Sequence, residues 1–71
     1  MIVYGAGNAG QQLGRLLEYD PDAPYRIVGF IDDDPSRKNL HISGAKVLGT
    51  RENLVDAASR NGARTVIVAI P

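Results

Sequence analysis

Three glycines close to the amino terminus have the spacing of a loop that binds phosphate. Gly5, Gly7 and Gly10 follow the apolar run Ile2–Tyr4 and come before a segment with helical periodicity. Gly5 would allow a sharp turn, Gly7 has no Cβ to keep a pyrophosphate away from the backbone, and Gly10 would let the helix pack closely. The N–H groups at the start of that helix would then face the anion. The pattern predicts a pyrophosphate site formed by Gly5, Ala6, Gly7, Asn8, Ala9 and Gly10.

The same glycines have a second interpretation, in which they serve only the turn and the helix packing and hold no ligand. Asn8 is ambiguous in the same way, because its side chain could contact a phosphate or ribose, or could stabilise the turn by bonding its own backbone. The spacing of the residues leaves both interpretations open.

An acidic turn of three aspartates follows the second apolar run of the chain. Asp32 lies 32 − 10 = 22 residues after Gly10, and a dinucleotide-binding unit places the acid that accepts the ribose 2′-hydroxyl about 20 residues after its glycines. A carboxylate at this position repels a 2′-phosphate, so Asp32 favours NAD over NADP. Arg37 and Lys38 follow closely and could reach a phosphate, which keeps NADP open. We expect Asp32, with Asp33 beside it, to bind the nucleotide.

Strands and helices alternate along the chain and would place these residues on defined elements. Periodicity and turn residues predict strands at Ile2–Tyr4, Tyr25–Ile31, Lys46–Leu48 and Thr65–Ile70. They also predict one helix from Ala9 to Tyr19 and another that begins after Thr50 and ends at Asn61-Gly62. The polar stretch from Ser36 to Ala45 is predicted to be a loop, after a short turn that Asp34 caps and Pro35 begins.

The first helix is expected to turn one apolar stripe towards the sheet. That stripe consists of Ala9, Leu13, Leu16 and Leu17. A glycine inside a helix costs about 1 kcal/mol relative to alanine, so Gly14 is expected to compensate by close approach to a strand.

The element order is strand, helix, strand, short strand, helix, strand, which predicts an α/β fold with a mainly parallel sheet and right-handed crossovers. We expect three layers, with Thr65–Ile70 as a central strand beside the first strand and Lys46–Leu48 at the far edge. Residues 1–71 are expected to form a single nucleotide-binding domain that is a fragment of a longer protein, because strands lie close to both termini.

The composition excludes several classes of function. Eight basic residues balance eight acidic ones without clustering, so a nucleic-acid surface or a polybasic membrane patch is not expected. The chain has no cysteine, which excludes disulfides and thiolate metal sites. No apolar run approaches the 18 residues of a membrane span, so this segment itself is not expected to contact a membrane.

Residues for catalysis are not grouped in the sequence. His41 is the single histidine and lies in a polar stretch, and no serine has a base at a suggestive spacing. None of the three tyrosines is followed by a lysine four residues later, so the pair used by short-chain dehydrogenases is absent. The spacing of histidines and acids does not suggest a metal site. Catalysis by this segment alone is not expected.

Four blocks of the sequence, in order, resemble one known family pattern: Ile2–Gly10, Val28–Pro35, Val47–Gly49 and Val66–Pro71. The family is the Rossmann-like, CoA-binding-type N-terminal domain of bacterial polysaccharide-biosynthesis proteins, typically nucleotide-sugar 4,6-dehydratases or epimerases that act on UDP-sugars. The resemblance covers essentially the whole chain. It implies a Rossmann-like three-layer fold in which Gly5, Gly7, Gly10 and Asp32 fall on the nucleotide-binding positions.

The resemblance also implies a ligand and a location. The expected cofactor is NAD or NADP, with NAD favoured, while CoA or the nucleotide of a UDP-sugar remains open. In this family the domain follows transmembrane helices and precedes the catalytic domain, so the expected location is cytoplasmic, at the inner face of the membrane if the parent carries those helices. A homo-oligomer is left open. Sugar-1-phosphate transferases and sugar acetyltransferases carry similar domains, so a regulatory or structural role without catalysis is the alternative.

Overall fold

The apolar runs of the sequence form one five-stranded sheet in the computed structural model, which describes residues 1–70. Pro71, the last residue of the family pattern, lies outside the described residues. The strands are β1 (Ile2–Tyr4), β2 (Gly29–Ile31), β3 (His41–Ile42), β4 (Ala45–Gly49) and β5 (Val66–Val68). The helices are α1 (Asn8–Glu18) and α2 (Leu54–Arg60), and 3₁₀ turns occupy Pro35–Arg37 and Arg51–Asn53.

The strand order is β3-β4-β2-β1-β5, and every pairing is parallel except that of β3 with β4. Helix α1 packs on one face of the sheet, where Phe30 and Val3 are fully buried. Helix α2 packs on the opposite face against Ile2 and Ile31, which are also fully buried. The predicted α/β/α fold is therefore confirmed, as is the place of the last strand beside β1.

The prediction for the far edge of the sheet was wrong. The edge strand is β3, inside the stretch predicted to be a loop, and β4 lies between β3 and β2. Ser43 and Gly44 both have positive φ, 50° and 82°. Two consecutive residues of this kind form the tight turn that matches the twist of a hairpin, so the chain returns as β4 directly beside β3.

The second strand is shorter than predicted, because residues 25–28 are not part of a strand. The ladder with β1 begins where Ile2 pairs with Gly29. Before that point only Met1 bonds this segment: Val28 N–H donates to Met1 O at 2.9 Å, and the Met1 amino group donates to Arg26 O. Within residues 1–70, β5 lies at the other edge of the sheet and is not the central strand predicted from its apolar character.

The buried stripe of α1 also differs from the prediction. Gly10 and Gly14 are buried, and Leu13 and Leu17 pack against the core, whereas Leu16 is 69% exposed and Ala9 is exposed. Because these two glycines face the sheet, the helix lies close to it, and the buried positions follow the spacing 10, 13, 14, 17. The close approach expected at Gly14 is confirmed, since a Cβ there would lie 3.3 Å from Phe30 Cζ.

The turns that end the elements follow the sequence signals. Asp34 accepts a hydrogen bond from Ser36 N–H at 2.9 Å and caps the turn that begins at Pro35. The Thr50 N–H donates to Asn53 Oδ1 at 2.9 Å, which sets the start of the second helical segment. Gly62 has φ 65° and supplies the left-handed stop after α2.

Candidate functional site

The glycine loop lies at the carboxyl end of β1 and enters α1 at Asn8. Gly5 has φ +120°, and a Cβ on it would lie 2.6 Å from the carbonyl oxygen of Ala69. A Cβ on Gly10 would overlap the carbonyl oxygen of Gly5. The fold itself therefore requires glycine at these two positions, one for the turn and one for close packing of the loop on the helix.

Gly7 differs from the other two glycines. Its φ of −81° is open to any residue, and a Cβ would meet only the Arg37 guanidinium, at 3.6 to 3.8 Å, which is ordinary contact. Packing of the protein therefore does not explain the absence of a side chain here. The missing Cβ leaves backbone accessible on the side of the loop that faces the cleft.

The amino end of α1 has N–H groups that are not bonded within the helix. Gly7 is the N-cap, its position has no side-chain cap, and the first turn carries no acid. The first intrahelical bond runs from Gln11 N–H to the Gly7 carbonyl at 2.9 Å, so the three preceding amides of the helix have no partner within it. An anion at this end would receive those hydrogen bonds and the favourable end of the helix dipole.

A cleft of about 380 Å³ opens in front of this loop. It lies at the carboxyl ends of β1 and β2, where ligands bind in parallel α/β sheets. Its lining residues come from the loop, the β1 and β2 ends and the stretch after β5: Tyr4, Gly5, Gly7, Asn8, Ala9, Asp32, Asp33, Arg37, Ala69 and Ile70. The structure thus brings the predicted loop and both predicted aspartates to one cleft, except Gly10, which is buried in α1, and Ala6, which is buried behind the loop.

Asp32 is buried at the end of β2 and holds the glycine loop in place. Its Oδ2 accepts hydrogen bonds from Ala6 N–H at 2.7 Å and from Arg37 Nη1 at 3.1 Å, and its Oδ1 accepts one from Asp34 N–H at 2.8 Å. Burial by itself would raise the pKa of Asp32, but the two N–H groups and the guanidinium outweigh it and hold the pKa below its ordinary value. The carboxylate is therefore ionised and already bonded within the protein.

The Arg37 guanidinium is the cation of the cleft. It lies beside Gly7 and pairs with Asp32, and its Nη1 is 3.9 Å from Asp34 Oδ2. The sequence placed Arg37 within reach of a phosphate. The structure adds that its positive charge offsets the Asp32 charge where a ligand would lie.

Asp33 is exposed and joins β1 to the segment that leads into α2. It accepts hydrogen bonds from Tyr4 Oη at 2.8 Å and from Arg51 N–H at 2.8 Å. These donors hold the pKa of Asp33 below its ordinary value, the Arg51 N–H contributing most. The hydrogen bond from the Tyr4 hydroxyl to Asp33 raises the pKa of Tyr4. Asp33 borders the cleft, with a structural role that its place in the sequence did not reveal.

Two polar side chains in the first turn of α1 differ in their hydrogen bonds. Gln11 donates from Nε2 to the Ala6 carbonyl at 3.0 Å and so supports the loop. Asn8 is exposed and, within residues 1–70, forms no side-chain hydrogen bond. The bond to its own backbone, which was one of the two interpretations of Asn8, is absent.

A second hollow, of about 390 Å³, lies on the other side of Asp32 at the ends of β2 and β4. Lys38, Leu48 and Gly49 are among its lining residues, and Asp32 borders both spaces. The carboxyl edge of the sheet thus offers a cleft at the glycine loop and an adjoining space beyond Asp32.

Residues 1–70 contain neither a metal-binding cluster nor a membrane-spanning helix. Among residues 1–70 no group of three histidine, cysteine or acidic side chains could hold a metal ion. Neither helix in this part of the chain has the length and hydrophobicity needed to cross a bilayer.

Comparison with known proteins gives the chain a family. The model of a family described as a CoA-binding domain matches residues 1–71. The chain is similar to the probable polysaccharide biosynthesis protein EpsC of Bacillus subtilis (strain 168), with 33% identity over 70 residues that cover 99% of this chain and 12% of that protein. No solved structure matches the chain significantly. The resemblance inferred from the four sequence blocks is confirmed: the chain belongs to the CoA-binding domain family.

Proposed function

We propose that this domain binds the adenosine diphosphate part of a coenzyme, with the pyrophosphate on the Gly5–Gly10 loop. The observation that carries the proposal is Gly7. Its missing side chain serves no packing purpose, and it leaves backbone open beside amides that lack partners within α1. Binding of a pyrophosphate would use this geometry, since phosphate oxygens accept N–H bonds at a helix start.

The two adjoining spaces suggest how the rest of the nucleotide would lie. A pyrophosphate in the cleft at Gly7 would direct the ribose to Asp32 and the adenine into the hollow beyond it. Leu48 supplies an apolar surface for a base, and Lys38 a cation at the rim. CoA, NAD and NADP all contain the adenosine diphosphate that this arrangement would accept.

The structure changes the expected preference among these ligands. On sequence alone, Asp32 favours NAD because a bare carboxylate repels a phosphate on the ribose. The Arg37 guanidinium, 3.1 Å from Asp32 Oδ2, weakens that repulsion. A ribose that carries a phosphate, as in CoA or NADP, is therefore a stronger candidate than the sequence suggested, and the family description favours CoA.

We also propose a role for the parent protein. The similarity to a polysaccharide biosynthesis protein supports a domain of a bacterial nucleotide-sugar dehydratase or epimerase, located at the cytoplasmic side where these coenzymes are available. The chain covers 12% of the relative it matches, and in this proposal the dehydration or epimerisation would be carried out by residues outside this segment.

Calorimetric titration with CoA, NAD, NADP and a UDP-sugar tests the proposal. We expect one of the adenine nucleotides to bind, and Gly7→Val and Asp32→Ala each to weaken that binding. Gly44→Ala is the control, because Gly44 has positive φ and lies in the β3–β4 turn away from the cleft. Absence of heat with all four ligands, in a protein whose circular dichroism shows a folded α/β domain, would contradict the proposal.

Two observations favour a second function. Gly5 and Gly10 are required by the fold, and Asp32 already accepts three hydrogen bonds from the protein. A domain of this kind could be regulatory or structural without a nucleotide, as in a sugar-1-phosphate transferase or a sugar acetyltransferase. The same titration separates the two functions, because a structural domain would fold normally and bind none of the four ligands.

A further inference from the structure

We propose that Arg37 binds the pyrophosphate of the ligand, together with the first amides of α1, and does not serve a phosphate on the ribose. This role rests on the nucleotide site proposed above and specifies which phosphate of the coenzyme the arginine holds. In the sequence, Arg37 and Lys38 stand side by side after the three aspartates, and their order does not separate the two roles. The position of the guanidinium does.

The Arg37 guanidinium lies across the open side of Gly7. The Cβ position of Gly7 is 3.6 Å from Arg37 Nη2, 3.7 Å from Nη1 and 3.8 Å from Cζ. Because these distances are nearly equal, the flat group covers this position with both terminal nitrogens. Gly7 is also the N-cap of α1, whose first amides have no partner within the helix. A phosphate that accepts hydrogen bonds from those amides would therefore lie next to the guanidinium.

Only one nitrogen of this guanidinium is bonded to residues 1–70. Nη1 donates to Asp32 Oδ2 at 3.1 Å, whereas its distance of 3.9 Å to Asp34 Oδ2 is too long for a hydrogen bond. Within the same residues, Nη2 and Nε have no hydrogen-bond acceptor. A guanidinium carries its N–H donors in a rigid plane. Asp32 can therefore hold one side of the group while Nη2, the nitrogen nearest to Gly7, donates to a phosphate oxygen.

The backbone of Arg37 is fixed on both sides. Asp34 Oδ1 accepts hydrogen bonds from the N–H and the hydroxyl of Ser36 at 2.9 and 2.8 Å, and the Asp34 carbonyl accepts one from Arg37 N–H at 3.0 Å. Leu40 N–H donates to the Arg37 carbonyl at 3.1 Å. The side chain is 37% exposed, so a ligand can reach it. Because the turn and Asp32 already orient the arginine, binding of a phosphate would cost little conformational entropy.

Lys38 faces a different space. The 3₁₀ turn ends at Arg37; Arg37 lines the cleft at Gly7, and Lys38 lines the hollow beyond Asp32. Neither of these two cations lines the space of the other. The Arg37 N–H that points to Asp32, where the ribose would lie, is already bonded. A phosphate on the ribose would therefore meet Lys38, and the free donors of Arg37 would meet the pyrophosphate.

Three isomeric nucleotides test this role, because they differ only in the place of the second phosphate. ADP carries it in a pyrophosphate, whereas adenosine 3′,5′-bisphosphate and adenosine 2′,5′-bisphosphate carry it on the ribose. Calorimetric titration would compare the wild-type chain with Arg37→Met, in which the charge is lost and most of the side-chain stem is kept. Arg64→Met is the matched control, because it removes the same charge from an exposed arginine that precedes β5, at the opposite edge of the sheet.

We expect Arg37→Met to lower the affinity for ADP by at least about tenfold, as for the loss of one hydrogen bond between charged groups. The preference for ADP over both bisphosphates should fall by at least about fivefold, because the ribose phosphate does not use this arginine. Arg64→Met should change all three affinities by less than about twofold, since salt screens a distant exposed charge. Circular dichroism checks that each variant keeps the α/β fold.

An unchanged preference would overturn this role, because a loop that is merely loosened by loss of the Arg37–Asp32 pair would weaken all three isomers alike. A larger loss for the bisphosphates than for ADP would also overturn it and would assign Arg37 to the ribose phosphate. If the wild-type chain binds the bisphosphates but not ADP, the role of Arg37 is wrong and the nucleotide site stands. If it binds none of the three, both are wrong.

Discussion

Gly7→Ala separates a phosphate-binding loop from a purely structural one, because the added methyl group is tolerated by the fold and obstructs the ligand. At φ −81° alanine is unstrained, and its Cβ would lie 3.6 Å from the nearest Arg37 nitrogen. Alanine is a poorer N-cap than glycine, at a cost of about 0.5 to 1 kcal/mol. The lower entropy of the unfolded chain returns about 0.4 to 1 kcal/mol. We therefore expect the free energy of unfolding to change by less than about 1 kcal/mol.

The expected effect on binding is larger. A methyl group on Gly7 would hold a pyrophosphate away from the first amides of α1 and would remove at least one hydrogen bond to a charged group. Such bonds contribute about 1.5 to 3 kcal/mol, which corresponds to a loss of affinity of about 10- to 150-fold. Calorimetric titration of the wild type and the variant with the ligand found in the panel measures the loss, and urea unfolding measures the stability.

Two glycine variants serve as controls. Gly44→Ala adds a Cβ with open space around it at φ 82°, so it should destabilise the fold by about 1 kcal/mol and leave binding unchanged. Gly10→Ala would overlap the Gly5 carbonyl and should destabilise the domain by about 3 kcal/mol or more. If Gly7→Ala binds the nucleotide as tightly as the wild type while remaining folded, the loop does not hold the pyrophosphate and the reasoning from Gly7 is refuted.

Three other predictions concern the residues around the loop and the core. Asp32→Asn should lower the free energy of unfolding at pH 7 by about 1.5 to 3 kcal/mol. Because the pKa of Asp32 is lowered in the folded state, its contribution to stability is present above the unfolded pKa of about 3.9 and is lost as the pH falls through the lower folded value. Urea unfolding of the variant should therefore depend less on pH in that acidic range. The pKa of Tyr4 is raised by the hydrogen bond to Asp33, and ultraviolet titration should show this tyrosine ionising at lower pH in Asp33→Asn than in the wild type. Phe30→Ala removes a fully buried ring and should lower the free energy of unfolding by about 3 to 5 kcal/mol. That is a large part of the roughly 4 to 10 kcal/mol expected for a domain of this size. A decrease below about 1 kcal/mol in urea unfolding would contradict the packing described for α1.

The fold was largely predictable because its main signals are local. Apolar runs, capping residues such as Asp34 and Thr50, and the stop at Gly62 each act within a few residues of the chain. The exceptions are the places where tertiary partners override the local pattern. β3 forms in a polar stretch because β4 returns beside it, and the second strand is shorter than its apolar run because its pairing with β1 begins only at Gly29.

The site shows the same division. The sequence indicated the Gly5–Gly10 loop and Asp32, because glycines in a strand–turn–helix and an acid after the second strand have a fixed relation in a parallel sheet. It did not reveal the bonds from Tyr4 to Asp33 and from Gln11 to Ala6, which depend on how separate elements meet. Tyr4 lies two residues after the buried Ile2 in β1 and therefore on the same face of the sheet, the face covered by α2. This alternation does not identify Asp33 as its hydrogen-bond partner.

The sequence by itself thus determined the α/β class, the strand–turn–helix at Gly5–Gly10 and the aspartates that follow the second strand, since these follow from short-range periodicity and from glycine and proline stereochemistry. Only the tertiary structure showed that Gly7 is unneeded by the packing whereas Gly5 and Gly10 are required, and that Arg37 offsets the charge of Asp32. It also showed that the Arg37 guanidinium lies across the open side of Gly7. The reason is physical: steric contact, charge pairing and burial depend on distances between residues far apart in the chain, and those distances are set when the sheet assembles.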